Sequence, residues 1–437
     1  MRKILIISPT RREHRELPAI AEALGCELVF EDFAGDYFDD LLSSNPGEGR
    51  PSLEILPLIE ETIRRHSQSD LAGVTSGVGY PGMPVSSIIA ERLGLTAPRV
   101  DRVLLCEHKY YSRVAQQEFV PEATPAFHLV DPRNPGGLGS SLSYPFFLKP
   151  VKSCFSINAD KITGPEMLEA RTRSCLLPEG FLKPLNDLLR AYTDFPLDAS
   201  YLLAESLLEG VQVSMEGYAF GGRVHILGII DSVMYPGTIS FKRFEYPSRL
   251  SEDVQHRMAR IAETFIKGIG YDNALFNIEF MYNSETDEIH IIEINPKIAS
   301  QFTDLFEKVD GLSSYSQLLQ VALGEEPAAP KGEGAFKVAA SCVMRTFEDR
   351  RVLRVPTPVQ VDALTARFPD ARVEISASRG SLLSDIMQDG KSFRYGLINL
   401  GANSSEELET KFELCQSLLD FEFAEPNELA HSGSRQR

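Results

Sequence analysis

The sequence predicts a multidomain protein with an α/β unit at its start and α+β units after it. Three observations carry that class. The 437 residues give room for about three cores at roughly 150 residues each. Over the first hundred residues, short apolar runs alternate with amphipathic helical stripes, the pattern of a parallel sheet with crossover helices. From about Asp101 the rhythm changes to runs of strands joined by tight turns, which favours antiparallel pairing.

Lys3 to Ile7 reads as a buried parallel strand closed by Ser8-Pro9, Leu17 to Leu24 as a helix and Cys26 to Phe30 as the next strand. A helix from Leu53 to His66, a strand from Leu71 to Thr75, a Gly/Pro-rich turn at Gly77 to Pro84 and a helix from Val85 to Leu93 complete a unit spanning 1–100. The turn contains Gly77, Gly79 and Gly82, but Pro81 and the missing Lys-Ser/Thr pair argue against a phosphate loop. A helix from Glu107 to Phe119 opens a second region, 101–325. Strands follow near Phe146 to Lys149, Ser156 to Ile162, Tyr201 to Glu205, Val211 to Phe220 and Arg223 to Asp231, with Gly221-Gly222 marking a two-residue hairpin. Ser251 to Gly268 is the clearest helix, with Val254, Met258, Ile261, Ala262 and Phe265 on one stripe. Gly324 to Gly334 reads as a linker. The remainder, 326–437, reads as a third unit of strands with one amphipathic helix at Ser405 to Leu419, and its last dozen residues are polar and expected to fray.

Hydrophobic residues at 43% and charged residues at 24% match ordinary globular usage, so the chain is expected to fold. Lys plus Arg is 44 against 62 Asp plus Glu, and a net charge of −18 repels phosphate backbones and anionic lipid. Nucleic acid and membrane are therefore not expected as partners, whereas a local cationic pocket can still take a small anion. The six cysteines are scattered without CxxC pairs, consistent with free thiols in a reducing, cytoplasmic setting. The apolar run Ile4 to Ile7 is too short for a signal-peptide core, and no stretch approaches the ~20 apolar residues of a membrane span.

The most informative stretch runs from Phe276 to Tyr282, through a polar loop Asn283 to Glu288, to Ile289 to Lys297. Both arms read as strands of a hairpin. Strict alternation puts Asn277 and Glu279 on one face of the first arm and Glu293 and Asn295 on one face of the second. With the loop centred between Glu285 and Thr286, Glu279 and Glu293 fall opposite one another or one register step apart. Two carboxylates so close repel unless a cation sits between them, and a hard divalent ion such as magnesium suits them. The alternative is a solvated hairpin whose glutamates face water. Alternation also puts Ile289 and Ile291 on the glutamate face, which argues against a wholly wet one. Upstream, Lys109 stands at a helix start, and Lys149 ends the apolar run Phe146-Phe147-Leu148; each either snorkels or holds an anion.

Taken in order, Lys109, the strand Phe147-Leu148-Lys149-Pro150, the strand Leu203 to Gly210, and Glu279 with Glu293-Ile294-Asn295-Pro296 resemble the ATP-grasp superfamily. The likeness spans about Asp70 to Leu323 and is most specific at Glu293 to Pro296. More narrowly, it resembles the amino-acid or carboxylate-amine ligase branch. The resemblance implies an ATP-grasp architecture with a Rossmann-like pre-grasp domain, a two-lobed nucleotide-binding region with its hinge near 205–210, and a C-terminal α+β domain. It implies ATP and magnesium, or manganese in its place, as cofactors, and a small carboxylate and an amine as substrates, with a homodimer by analogy. Residue by residue, Lys109 and Lys149 would contact the phosphates, and Glu205 to Leu207 would hold adenine. Glu279, Glu293 and Asn295 would bind the metal. Lys297 stands where the family usually has arginine and would neutralise the transferred phosphate or the substrate carboxylate.

Two departures from the family pattern are visible. After Lys149 the chain reads Val151 to Ser156 with no glycine, so Ser153, Ser156 and backbone N–H groups would have to cradle the phosphate. Gln212 stands where a glutamate commonly takes the ribose hydroxyls. Arg345, in the third unit, is a candidate for holding a substrate carboxylate. His108, His225 and His290 read as core or surface histidines, and Phe241 to Pro247 as a substrate-side loop. Rival readings keep the architecture but change the acceptor (a carboxylase, an acyl-CoA ligase, or phosphorylation of a non-carboxylate oxygen), or leave a nucleotide-binding protein without turnover.

Overall fold

The structure, a computed structural model, describes residues 1–32, 53–134, 142–154, 156–175, 177–386 and 391–425; the polar last dozen lie outside the described residues. Strands β1 (Arg2–Ile7), β2 (Cys26–Glu31) and β3 (Leu71–Thr75) pair in parallel in the order β2-β1-β3. Ile4 to Ile7 are wholly buried there, as a continuous apolar run requires. The first helix starts at Arg11, ahead of Leu17, because Thr10 and Glu13 form a capping box. The buried Glu13 carboxylate also accepts the Gly77 N–H at 3.0 Å, tying this helix to the loop after β3.

The helix expected from Glu107 to Phe119 is two helices, Val100–Glu107 and Lys109–Phe119, broken at His108. His108 takes an extended conformation and its Nε2 lies 3.1 Å from the Asp198 carbonyl, while the Lys109 N–H donates to Val151 O at 2.8 Å. Long-range bonds thus outweigh helical continuity, and they seat Lys109 against the next sheet. That sheet holds β4 (Phe127–Val130), β5 (Phe146–Pro150), β6 (Asp160–Ile162) and β7 (Leu202–Ser206) in the antiparallel order β4-β7-β5-β6. The strand expected from Ser156 begins only at Asp160, since Ser156 and Asn158 have φ of 56° and 60°, outside any strand.

The large sheet is built from β8 (Val211–Phe220), β9 (Arg223–Met234), β10 (Phe241–Tyr246), β11 (Ala274–Asn283), β12 (Glu288–Asn295) and β13 (Val338–Thr346). A short β14 (Val352–Arg354) precedes β15 (Arg372–Ile375) and β16 (Phe393–Ala402), and β14 pairs with β17 (Glu422–Phe423). Eight of these strands run in the order β12-β11-β8-β9-β10-β13-β16-β15. Three features differ from the sequence expectation. The segment after the linker does not start a sheet of its own: β13 pairs with β10 and extends the sheet, which removes an open edge. Phe241 to Tyr246 is not a loop but an interior strand, where Arg243 Nε donates to Glu245 at 2.8 Å and so satisfies two buried charges. A second helix, Pro358–Arg367, stands in the C-terminal part beside Ser405–Leu418.

The helix Glu252–Ile269, capped by Ser251 and ended by Gly270 at φ 67°, lays Val254, Met258, Ala262 and Phe265 against Met215, Phe276 and Ile278. That covers one face of the large sheet. The opposite face carries the polar residues of β8, β11 and β12.

Candidate active site

Glu279 lies opposite Glu293, and Asn277 opposite Asn295, in the β11–β12 register. Directly beside the glutamates a β-bulge intervenes: Phe280 pairs with Ile291, leaving Ile292 unpaired. The bulge reverses the alternation. Ile289 and Ile291, expected on the glutamate face, point with Ile294 into the core, while Glu293 and Asn295 face the other way. Burial and the neighbouring Glu293 charge push the Glu279 carboxyl up to about 7, partly offset by Lys297. Burial also opposes a charge on Glu293, but Lys109 and Lys149 outweigh it and hold that carboxyl below its ordinary range.

Both lysines sit where carboxylates wait for them. Lys109 Nζ lies 2.8 Å from Glu293 Oε1 and donates to the Ser153 carbonyl at 3.1 Å. Lys149 Nζ lies 2.7 Å from Glu205 Oε2. Burial works against the charge on Lys149 and lowers its pKa, with Glu205 opposing. The Glu205 carboxylate is buried between Lys149 and Arg113, whose Nε donates to Glu205 Oε1 at 2.6 Å. Burial alone would raise the Glu205 pKa, yet the two cations hold it down to about 2. Arg113 also donates to the carbonyl of the bulged Ile292 at 2.7 Å and to Gln116. It therefore joins β7 in the small sheet to β12 in the large one. Lys109, Arg113, Gln116, Lys149, Glu205 and Glu293 line one cavity.

Arg113 was not singled out from the sequence, although Lys109, Ser112, Arg113 and Gln116 form a polar stripe at helical spacing, and all four are buried. Glu216 was missed as well. Gln212, Ser214 and Glu216 alternate on one face of β8, and Glu216 is 1% exposed. Burial pushes its carboxyl up to about 8, with Lys297 opposing.

The other candidates are placed as follows. Gln212 Nε2 donates to Glu279 Oε2 at 2.9 Å, so it touches the carboxylate pair directly. Ser153 is buried, with Oγ donating to the Ile157 carbonyl at 2.6 Å, whereas Ser156 is exposed. Leu207 is half-buried, just after β7. Lys152 pairs with Glu107 and lies 5.3 Å from the Tyr80 ring centre. The Lys297 side chain runs past Gly79, with Nζ 3.3 Å from the Ile298 carbonyl. Arg345 lies opposite Arg394 between β13 and β16 and donates to Ser392. His108 is buried, and its pKa falls to about 4 through burial.

Among the described residues, no three His, Cys, Asp or Glu side chains gather as a metal site. The donor set at the hairpin is two facing carboxylates and the amide of Asn295, all oxygen-bearing, with lysines close by. That set fits a hard cation that receives its remaining oxygens from a phosphate ligand.

The two sheets, with the facing carboxylates and the lysines between them, are arranged in the ATP-grasp fold. Residues 142–304 match the family model described as an ATP-grasp domain. Among solved structures it is similar to the L-amino acid ligase from Bacillus licheniformis, at 18% identity and a TM-score of 0.68 over 97% of this chain and 99% of that one. It is also similar to phosphoribosylglycinamide synthetase from Anaerococcus prevotii (14% identity, TM-score 0.65, 97% and 100% covered). The biotin carboxylase from Campylobacter jejuni is a third such structure (15% identity, TM-score 0.64, 96% and 92% covered). No curated protein matches the chain in sequence. At these identities the likeness speaks to the fold.

Proposed function

We propose that the protein is an ATP-dependent ligase that joins a carboxylate to an amine through an acyl phosphate. The observation that carries the reading is the facing pair Glu279 and Glu293, within electrostatic reach of Lys109, Lys149 and Lys297. Glu279, Glu293 and Asn295 hold magnesium or manganese, which neutralises charge on the ATP phosphates when bound. Lys109 and Lys149 bind the phosphates, with Ser153 and Ser156 on the loop beside them, and the 205–210 segment, including Leu207, holds the adenine. Lys297 faces the developing negative charge where the substrate carboxylate attacks the γ-phosphorus and ADP leaves; Arg345 binds a carboxylate farther along the sheet. The amine then attacks the acyl carbon and phosphate departs. The protein contributes positioning and charge rather than a nucleophile. In this reading 1–100 is the pre-grasp domain, 101–325 the nucleotide-binding region and 326–437 the C-terminal domain, in a cytoplasmic homodimer. No described helix is long and apolar enough to cross a membrane.

The test is ADP and phosphate release from the protein with ATP and magnesium, against pools of amino acids and small carboxylic acids, beside Glu293→Ala. Release that depends on a pool and is lost in the variant is expected. ATP binding without turnover in every pool would instead favour a nucleotide-binding role.

A further inference from the structure

We propose that Glu216 is a positioning residue that, through Asn277, turns the Asn295 amide so that its oxygen faces the cation. The inference rests on the metal reading given above. An amide side chain offers an oxygen at one corner and an NH2 of nearly the same shape at the other, and only the oxygen can ligate a cation. Which corner faces the cleft is decided by the hydrogen bonds behind it.

Those bonds form a relay with one direction. Glu216 Oε1 accepts the Ala299 N–H at 3.1 Å, so this atom acts as an acceptor. Asn277 must therefore turn its NH2 towards Glu216, and Nδ2 donates to Oε1 at 2.8 Å and to Ser214 Oγ at 3.4 Å. The Ser214 hydroxyl can donate or accept and cannot set a direction; the Glu216 oxygen can. Asn277 Oδ1 is then the atom left for Asn295, whose Nδ2 donates to it at 3.2 Å. With its nitrogen so engaged, Asn295 has Oδ1 left for the cleft. Turning Asn295 over would set two acceptor oxygens against each other. Glu216 and Asn277 are 1% and 3% exposed, so water does not compete for these bonds. The register, Glu216 opposite Asn277 and Asn277 opposite Asn295, lines the three side chains across adjacent strands.

Binding of Mn2+ in the presence of a non-hydrolysable ATP analogue, read from the free-Mn2+ paramagnetic resonance signal, tests this without turnover. Glu216→Ala is expected to weaken Mn2+ about tenfold or more, the range for lost support behind a ligand, and Glu216→Gln to restore most of it. Asn295→Asp presents oxygen at either corner, so adding Glu216→Ala to it should cost nothing further. If Glu216→Ala melts below the assay temperature, Asn277→Leu, close in size, breaks the relay in its place with the same expectations. Glu293-dependent Mn2+ binding that ignores Glu216→Ala, or an equal loss when Glu216→Ala is added to Asn295→Asp, overturns the relay alone. Binding that ignores Glu293→Ala overturns both the relay and the metal reading.

Discussion

Lys109 Nζ lies 2.8 Å from Glu293 Oε1, so one carboxylate oxygen is the counter-ion of a lysine proposed to hold phosphate. A lysine ammonium and a metal cation drawn to the same oxygen repel each other, so the two compete. A nucleotide that draws Lys109 onto its phosphates releases Glu293, so metal affinity should rise with nucleotide by a coupling factor of about 5–150. Lys109→Met should tighten nucleotide-free Mn2+ binding while weakening ATP. A titration in which that variant binds Mn2+ alone no better than wild type would show that the pair does not compete with the metal.

Glu205 is the counter-ion of two buried cations, and Glu205→Gln leaves Arg113 and Lys149 without it. A loss of about 3–5 kcal/mol in denaturant unfolding is expected. The sign with pH follows from the depressed carboxyl, about 2 in the fold against an ordinary 4.5. Its contribution is complete above the ordinary value and disappears as pH falls from there towards 2. Over that window wild type should lose more stability than Glu205→Gln, and parallel curves would contradict the assignment.

Two glycines of one loop separate stability from turnover. A Cβ on Gly77 would lie 2.2 Å from Glu13 Oε1 and break the bond that ties the first helix to the loop. Gly77→Ala should cost about 1–3 kcal/mol. A Cβ on Gly79 meets Glu107 Oε1 at 3.0 Å and Lys297 Cδ at 3.2 Å, and moves Lys297 by tenths of an ångström. Gly79→Ala should lower kcat about tenfold with little change in Tm. Equal effects of both variants on Tm would remove the distinction.

Gln212→Glu sets a further carboxylate against Glu279, where the amide now donates at 2.9 Å. Repulsion raises the Glu279 pKa beyond about 7, and only the ionised form holds a cation. The rising limb of ADP release against pH, at limiting magnesium, should therefore move to higher pH. A limb that stays in place or moves down would mean that Glu279 does not set it.

The hairpin was legible because turn position and period fix which residues can face each other. The one-step uncertainty between Glu279 and Glu293 is the bulge itself, which shifts the register between Phe280 and Glu279. What alternation could not show was that the bulge sends Ile289 and Ile291 to the core. Lys109 and Lys149 were visible as lysines in apolar settings, but their partners were not, since Arg113 meets Glu205 and Ile292 only through folding of distant segments. The stripe Lys109, Ser112, Arg113 and Gln116 and the alternation of Gln212, Ser214 and Glu216 were present in the sequence; apolar periodicity draws attention away from polar periodicity. The β10–β13 pairing was hidden for another reason: a Gly/Pro-rich linker marks a break in the chain, not in hydrogen bonding.

That pairing makes the C-terminal quarter structurally inseparable from the rest. A chain cut at Gly324 would bare the backbone N–H and C=O groups of β10, a ready template for strand addition between copies. Truncation there should produce insoluble association rather than a smaller working protein, and gene fusions should be placed at the ends of the chain, not at the linker.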